Sequence, residues 1–325
     1  MPPPSSESGV GHLLASARGG ERAALARLLS MVERGGDDGE RVGRRLVSQA
    51  GDGHATDLES YTIGVTGAPG AGKSTLTSAL IGVVRGRDER VAVLAIDPSS
   101  PFSGGAILGD RLRMGDHALD DGVFIRSMAS RGHLGGLAVA APEAVRVLAA
   151  AGFPYVMLET VGVGQAEVEV ASHADTTVVV VNPGWGDAVQ ASKAGLLEIA
   201  DVFVVNKADR PGADEAVRDL EQMLDMAARH GWRPPVLRTT ATTGEGVDQV
   251  WRTVADHRAH LVATGGLTER RRHRAREEVS RLVTARLAAR TQALTRGATA
   301  DELADAVAKG ELDPWSAADG LLGAE

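Results

Sequence analysis

The segment that most constrains this 325-residue chain is Gly67-Ala68-Pro69-Gly70-Ala71-Gly72-Lys73-Ser74, whose spacing is G-x-x-x-x-G-K-S/T. It follows the apolar run Tyr61-Thr62-Ile63-Gly64-Val65-Thr66 and opens a helical stretch from Thr75 to Val84, so the letters stand in a strand-loop-helix context. Glycines let backbone amides turn inward around phosphate oxygens, and a new helix adds free N–H groups and a positive dipole end. Lys73 is placed to neutralise β and γ oxygens, which makes it a catalytic as well as a binding candidate, and the Ser74 hydroxyl is placed to hold Mg2+. A glycine-rich turn without a ligand is the plain alternative, and eight matching positions with matching flanks stand against it.

The rest of the chain repeats the same alternation. Short apolar runs at residues 91 to 96, 122 to 126, 154 to 158, 176 to 181, 201 to 205 and 236 to 240 are separated by helical patterns. Thr177-Val178-Val179-Val180-Val181 does not alternate with polar residues, as in strands covered on both faces. The expected fold is therefore α/β, a doubly wound, mostly parallel sheet with helical extensions at both ends. Residues 1–10 read as a disordered Pro- and Ser-rich tail, 11–55 as an amino-terminal helical extension, 56–263 as the phosphate-loop domain and 264–325 as a carboxyl-terminal helical region. Within these, residues 11 to 34 look helical with Leu14, Leu25, Leu28, Leu29 and Val32 on one face, and a second short helix covers 40 to 50. Val279, Leu282, Val283 and Leu287 form a stripe at helical spacing that must pack on the core or on another chain.

Composition narrows the function classes. Without cysteine the chain has no disulfide, thiolate metal site or cysteine nucleophile, and a reducing cytoplasm is the expected location. No run approaches the roughly 20 apolar residues of a membrane span, and the first residues lack a signal peptide, so no membrane partner is expected. The run Arg270-Arg271-Arg272-His273-Arg274-Ala275-Arg276 is followed by Glu277 and Glu278, and the net charge is -8. It reads as a solvated helix face, with no nucleic-acid partner expected.

Asn206-Lys207-Ala208-Asp209 ends the apolar run Val202-Phe203-Val204-Val205, at the sheet edge where α/β folds bind ligands. An aspartate there accepts hydrogen bonds from guanine N1–H and its 2-amino group, a donor pair that adenine does not offer. Lys207 can lay its stem along the base, and Asn206 can tie this loop to the phosphate loop. Thr239-Thr240-Ala241, after the run from 236, has the place of a segment whose backbone contacts the guanine oxygen. The ligands expected are GTP and GDP with Mg2+. Phosphoryl transfer to water depends on positioning and charge stabilisation, so carboxylates at strand ends matter. Asp97 and Glu159 end such runs, and Asp110 closes the loop that Asp97 opens; these three are the metal-shell candidates, with Asp110 and Glu159 also counted as catalytic. Capping of turns and helices is the alternative for Asp97 and Asp110. The Gly162 amide would meet the γ-phosphate, and Gln165 either orients the attacking water or makes a plain loop hydrogen bond. Arg111, Arg113, Arg126 and Arg131 lie near these loops, and none is singled out as an arginine finger. Trp185, set between glycines in the loop after residue 181, either meets a partner or folds back on the domain.

Together the blocks GVTGAPGAGKST at 64 to 75, IDPSSPFSGGAILGDRLRM at 96 to 114, MLETVGVGQAE at 157 to 167, NPGWGDAVQASKAG at 182 to 195 and NKAD at 206 to 209 resemble the methylmalonyl-CoA mutase-associated GTPases of MeaB/ArgK type. The resemblance extends to TTGEGVDQVW at 242 to 251 and ELDPWSAADGLL at 311 to 322. It implies a GTPase that chaperones adenosylcobalamin-dependent methylmalonyl-CoA mutase, gating cofactor loading and protecting the mutase. It also implies a homodimer through the carboxyl-terminal helices and a partner-sensing loop at 182 to 195, where Trp185, Asp187 and Lys193 become coupling candidates. Where most GTPases have D-x-x-G, this chain has Glu159-Thr160-Val161-Gly162. A metal-insertion GTPase would need Cys or His ligands that are missing here, a P-loop kinase or transport ATPase fits Asn206 to Asp209 poorly, and a nucleotide-binding module without turnover shares all the same residues.

Overall fold

A computed structural model describes residues 6–49, 60–98, 115–117, 119–130, 136–160, 166–184, 190–226 and 231–323. Seven strands, β1 (Tyr61–Gly67), β2 (Val91–Pro98), β3 (Val123–Ser130), β4 (Tyr155–Thr160), β5 (Thr176–Val181), β6 (Val202–Asn206) and β7 (Val236–Thr239), make one sheet in the order β3-β2-β4-β1-β5-β6-β7. Every described strand pair is parallel, so all the strands end on one edge. The doubly wound α/β fold is what the unalternating valine runs require, since each face of such a strand needs its own cover.

Alternation along the strands sorts side chains into opposed cores. Val178 and Val180 of β5 join Ile63 and Val65 of β1 under α4 (Lys73–Arg85) and α9 (Val247–Thr264). Val179 and Val181 face the other way, with Phe203 and Val205, toward α7 (Gln190–Ile199) and α8 (Ala213–Met226). On the β2–β4 side the second face is covered by α5 (Gly136–Ala150) and α6 (Ala166–His173). Three amino-terminal helices, α1 (Ser6–Arg18), α2 (Arg22–Arg34) and α3 (Gly36–Gln49), extend that same core through Leu14, Leu28, Leu29, Val42 and Leu46.

Residues 11 to 34 are two helices rather than one stretch. Gly19 and Gly20 end α1, with Gly20 at φ +94, a left-handed conformation that a helix interior does not contain. The first helix also starts earlier than the composition of the tail suggests, because Val10 is buried against its neighbours.

The chain divides into two compact units, Met1–Arg274 and Ala275–Glu325. Helix α10 runs from Gly266 to Leu294 and is followed by α11 (Ala298–Ala308) and α12 (Pro314–Leu322). Asp313 caps α12, its Oδ1 accepting from the backbone N–H of Trp315 at 3.0 Å and of Ser316 at 2.9 Å. In the second unit Ala317 is the one buried side chain among the described residues. No described helix is long and apolar enough to cross a membrane.

Candidate functional site

The phosphate loop leaves β1 at Gly67 and enters α4 at Lys73. Gly72 has φ +95, and a Cβ there would run into the side-chain amide of Asn206, so this position needs glycine twice over. Lys73 is folded back over its own loop, its Nζ donating to the carbonyls of Gly67 at 2.8 Å and Ala68 at 3.1 Å. Pro69, Gly70 and Ala71 complete the curve between them. Ser74 and Thr75 form the first turn of α4 with Lys73.

Glu159, fully buried near the end of β4, accepts a hydrogen bond of 2.5 Å from the Ser74 hydroxyl. The two residues lie 85 positions apart in sequence, and the sheet order joins them by seating β4 beside β1. A hydroxyl and a carboxylate are hard oxygen donors, the set Mg2+ prefers, so the residues present fit that ion. Asp97 lies in β2 beside Ala129 of β3, with its backbone alone described. Asp110, Gly162, Gln165, Trp185 and Asp187 lie outside the described residues, and Lys193 is placed in α7 by its backbone.

At the end of β6 Asn206 joins three segments. Its Nδ2 donates to the Ala71 carbonyl at 2.9 Å, while its Oδ1 accepts from the Thr239 hydroxyl and from the Ala241 amide, both at 3.1 Å. Thr239, Thr240 and Ala241 are all buried beside it. Lys207 takes a left-handed backbone, φ +59, and its Nζ reaches the Gly70 carbonyl at 2.6 Å, laying the stem across the phosphate loop. Asp209, two residues on, is exposed.

The arginine run at 270 to 276 corrects the expectation of a solvated face. Arg270 holds Asp201 through Nη2–Oδ1 at 2.8 Å and Nη1–Oδ2 at 2.9 Å, a bidentate pair. Arg271 donates to Asp175 Oδ2 at 2.9 Å and to the Ser60 carbonyl at 3.2 Å, and Arg274 pairs with Asp175 Oδ1. Asp175 and Asp201 directly precede β5 and β6, so this cluster sits at the amino edge of the sheet, opposite the phosphate loop. Burial alone would raise the Asp175 carboxyl, but hydrogen bonding from Arg271 and the charges of Arg274 and Arg271 outweigh it and hold the group below the usual aspartate value. His257, fully enclosed beside Asp201, is pushed down to about 4 by burial. The signal for this cluster was in the spacing: 270, 271 and 274 share one helix face.

Arg126 is also committed. From β3 it reaches α2, bonding the Ala26 carbonyl at 3.1 Å, Ser30 Oγ at 3.0 Å and Glu33 Oε2 at 2.7 Å. That removes it from the arginines near the loops that could serve the phosphates.

The model of the family described as methylmalonyl Co-A mutase-associated GTPase MeaB matches residues 25–296. A putative GTPase of Pyrococcus abyssi is 44% identical over 317 residues, covering 96% of both chains. The GTPase ArgK of Escherichia coli is 38% identical over 270 residues, covering 80% of this chain and 79% of that one. A solved structure titled LAO/AO transport system kinase is similar with a TM-score of 0.70 at 28% identity, covering 97% of each chain.

Proposed function

This chain belongs to the methylmalonyl Co-A mutase-associated GTPase MeaB family and is a GTPase, and we propose that it couples GTP binding and hydrolysis to cofactor loading and protection of adenosylcobalamin-dependent methylmalonyl-CoA mutase. The observation that carries the guanine half of this reading is Asn206, whose side chain joins the phosphate loop to the segment from Thr239 to Ala241. Cradle and base-reading edge are thereby one unit.

In this reading the amides from Gly67 to Thr75 and the Lys73 ammonium take the phosphates, and Asp209 reads the guanine edge. Ser74 and Glu159, with Asp97 and Asp110, would hold Mg2+, which when bound supplies positive charge to the phosphate oxygens. The Gly162 amide meets the γ-phosphate and Gln165 orients the attacking water. Trp185, Asp187 and Lys193 convey the presence of the mutase, and the exposed stripe of Val279, Leu282, Val283 and Leu287 pairs two copies into a homodimer in the cytoplasm. A metal-insertion role is disfavoured by the lack of cysteine, and a kinase or transport ATPase by Asn206 to Asp209.

The test is a titration of purified adenosylcobalamin-dependent mutase into a GTP turnover assay. Turnover is expected to rise, and Lys193→Ala to weaken the rise. A flat response at saturating mutase would end the chaperone reading while leaving the GTPase intact.

A further inference from the structure

Thr66 and Thr160 share a buried hydrogen bond between their hydroxyls at 3.2 Å, and neither has a place in the site as described above. Thr66 is the last residue before Gly67, where the phosphate loop begins its turn. Thr160 is the residue after Glu159 and the last of β4. The register sets Val65 beside Glu159, so the two threonines continue that pairing by one step.

Strand alternation gives the contact its significance. Glu159 points to the α4 face, where it meets Ser74, so Thr160 points to the other. Thr66 shares its face with Gly64, whose position is covered by Val170 within α6 and Ala174 just beyond its end. The end of β4 is therefore pinned on both faces, by Glu159 to α4 and by Thr160 to β1. The first pin would not survive a shared metal ion. At 2.5 Å the Ser74 and Glu159 oxygens are closer than two adjacent ligands of one Mg2+, which lie about 2.9 Å apart. An ion held by both must part them.

We propose that Thr66 and Thr160 are a positioning pair that keeps the carboxyl end of β4, and so Glu159, in register with the phosphate loop when the Ser74–Glu159 contact is open for Mg2+. The inference rests on the metal-shell reading of Glu159. The pair touches no nucleotide and acts through Glu159. Because it orders the acid rather than the phosphate cradle, its loss falls on turnover and on the Mg2+-dependent part of affinity. Binding of nucleotide without metal stays as it was.

The test compares Thr66→Val, Thr160→Val, the double variant and Thr160→Ser in the full chain. GTP hydrolysis is followed by phosphate release, and the affinity for a fluorescent GDP derivative is measured with Mg2+ and with EDTA. Each valine variant is expected to lose about tenfold in kcat, the scale of one buried hydrogen bond, and to lose part of the Mg2+-induced gain in GDP affinity. Affinity in EDTA is expected to stay close to the parent, the melting temperature of each single valine variant to fall by a few degrees because one buried hydroxyl loses its partner, the double variant to be no worse than the worse single one, and Thr160→Ser to restore turnover. Unchanged kcat in both valine variants overturns the proposal, as does an equal fall of kcat and EDTA affinity, or a serine that fails to restore turnover. Glu159→Gln is run beside them: if Mg2+ dependence survives it unaltered, the metal-shell reading of Glu159 fails, whatever the threonines do.

Discussion

Asn206 holds the base-reading edge to the phosphate loop with one side chain that is 2% exposed. Alanine there leaves the Ala71 carbonyl, the Thr239 hydroxyl and the Ala241 amide short of a partner in a place water reaches poorly. Asn206→Ala is expected to cost about 2–3 kcal/mol of stability in urea unfolding and to weaken guanine nucleotides in a competition titration. This residue was legible in the sequence, because a motif at a strand end carries its geometry with it. So were Lys73, Ser74 and Glu159, which the chain separates and parallel strands collect at one edge. The Thr66–Thr160 contact was not legible, because it depends on register, and a slip of one residue would turn either hydroxyl to the opposite face.

Helix α10 shows why charge patterning alone misreads an element. The arginine run reads as solvated because acidic residues follow it, yet Arg270, Arg271 and Arg274 share a face and meet Asp175 and Asp201, while Arg272 and Arg276 stay exposed. Arg274→Ala removes one partner of a buried carboxylate and is expected to cost about 3 kcal/mol, whereas Arg272→Ala is expected to lie within about 0.5 kcal/mol of the parent, both by urea unfolding. The same cluster makes stability sensitive to acid. His257 titrates near 6.5 when unfolded and at about 4 when folded, so the fold keeps it neutral. Stability from this residue is complete above pH 6.5 and declines as pH falls toward 4, because the unfolded chain takes up a proton the fold refuses. Between pH 7.5 and pH 5 the loss is about 2 kcal/mol. Unfolding midpoints measured across that range are expected to fall for the parent, and the decline is expected to be shallower for His257→Gln. The Asp175 carboxylate, held below its ordinary value of 3.8, adds to the same decline only at lower pH.

The whole molecule joins a well-filled α/β unit to a second unit with little interior of its own. Ala317 is its one buried side chain among the described residues, while Val279, Leu282, Val283 and Leu287 are between 41% and 61% exposed. A helix with that stripe gains stability when another surface covers it. Leu282→Asp is expected to convert the proposed homodimer to monomer in sedimentation velocity while GTP binding by the first unit persists. The unalternating strands made the parallel sheet legible, whereas the break at Gly20 was hidden inside a stretch whose apolar residues share one face. The strand order has one more consequence, in time rather than space. β1 lies between β4 and β5, pairing Tyr61 with Tyr155 on one side and Ile63 with Thr176 on the other. A chain growing from its amino terminus therefore makes the phosphate loop long before it makes either strand that flanks β1. Until Thr160 has left the ribosome, the most recognisable segment of the sequence has no sheet to belong to.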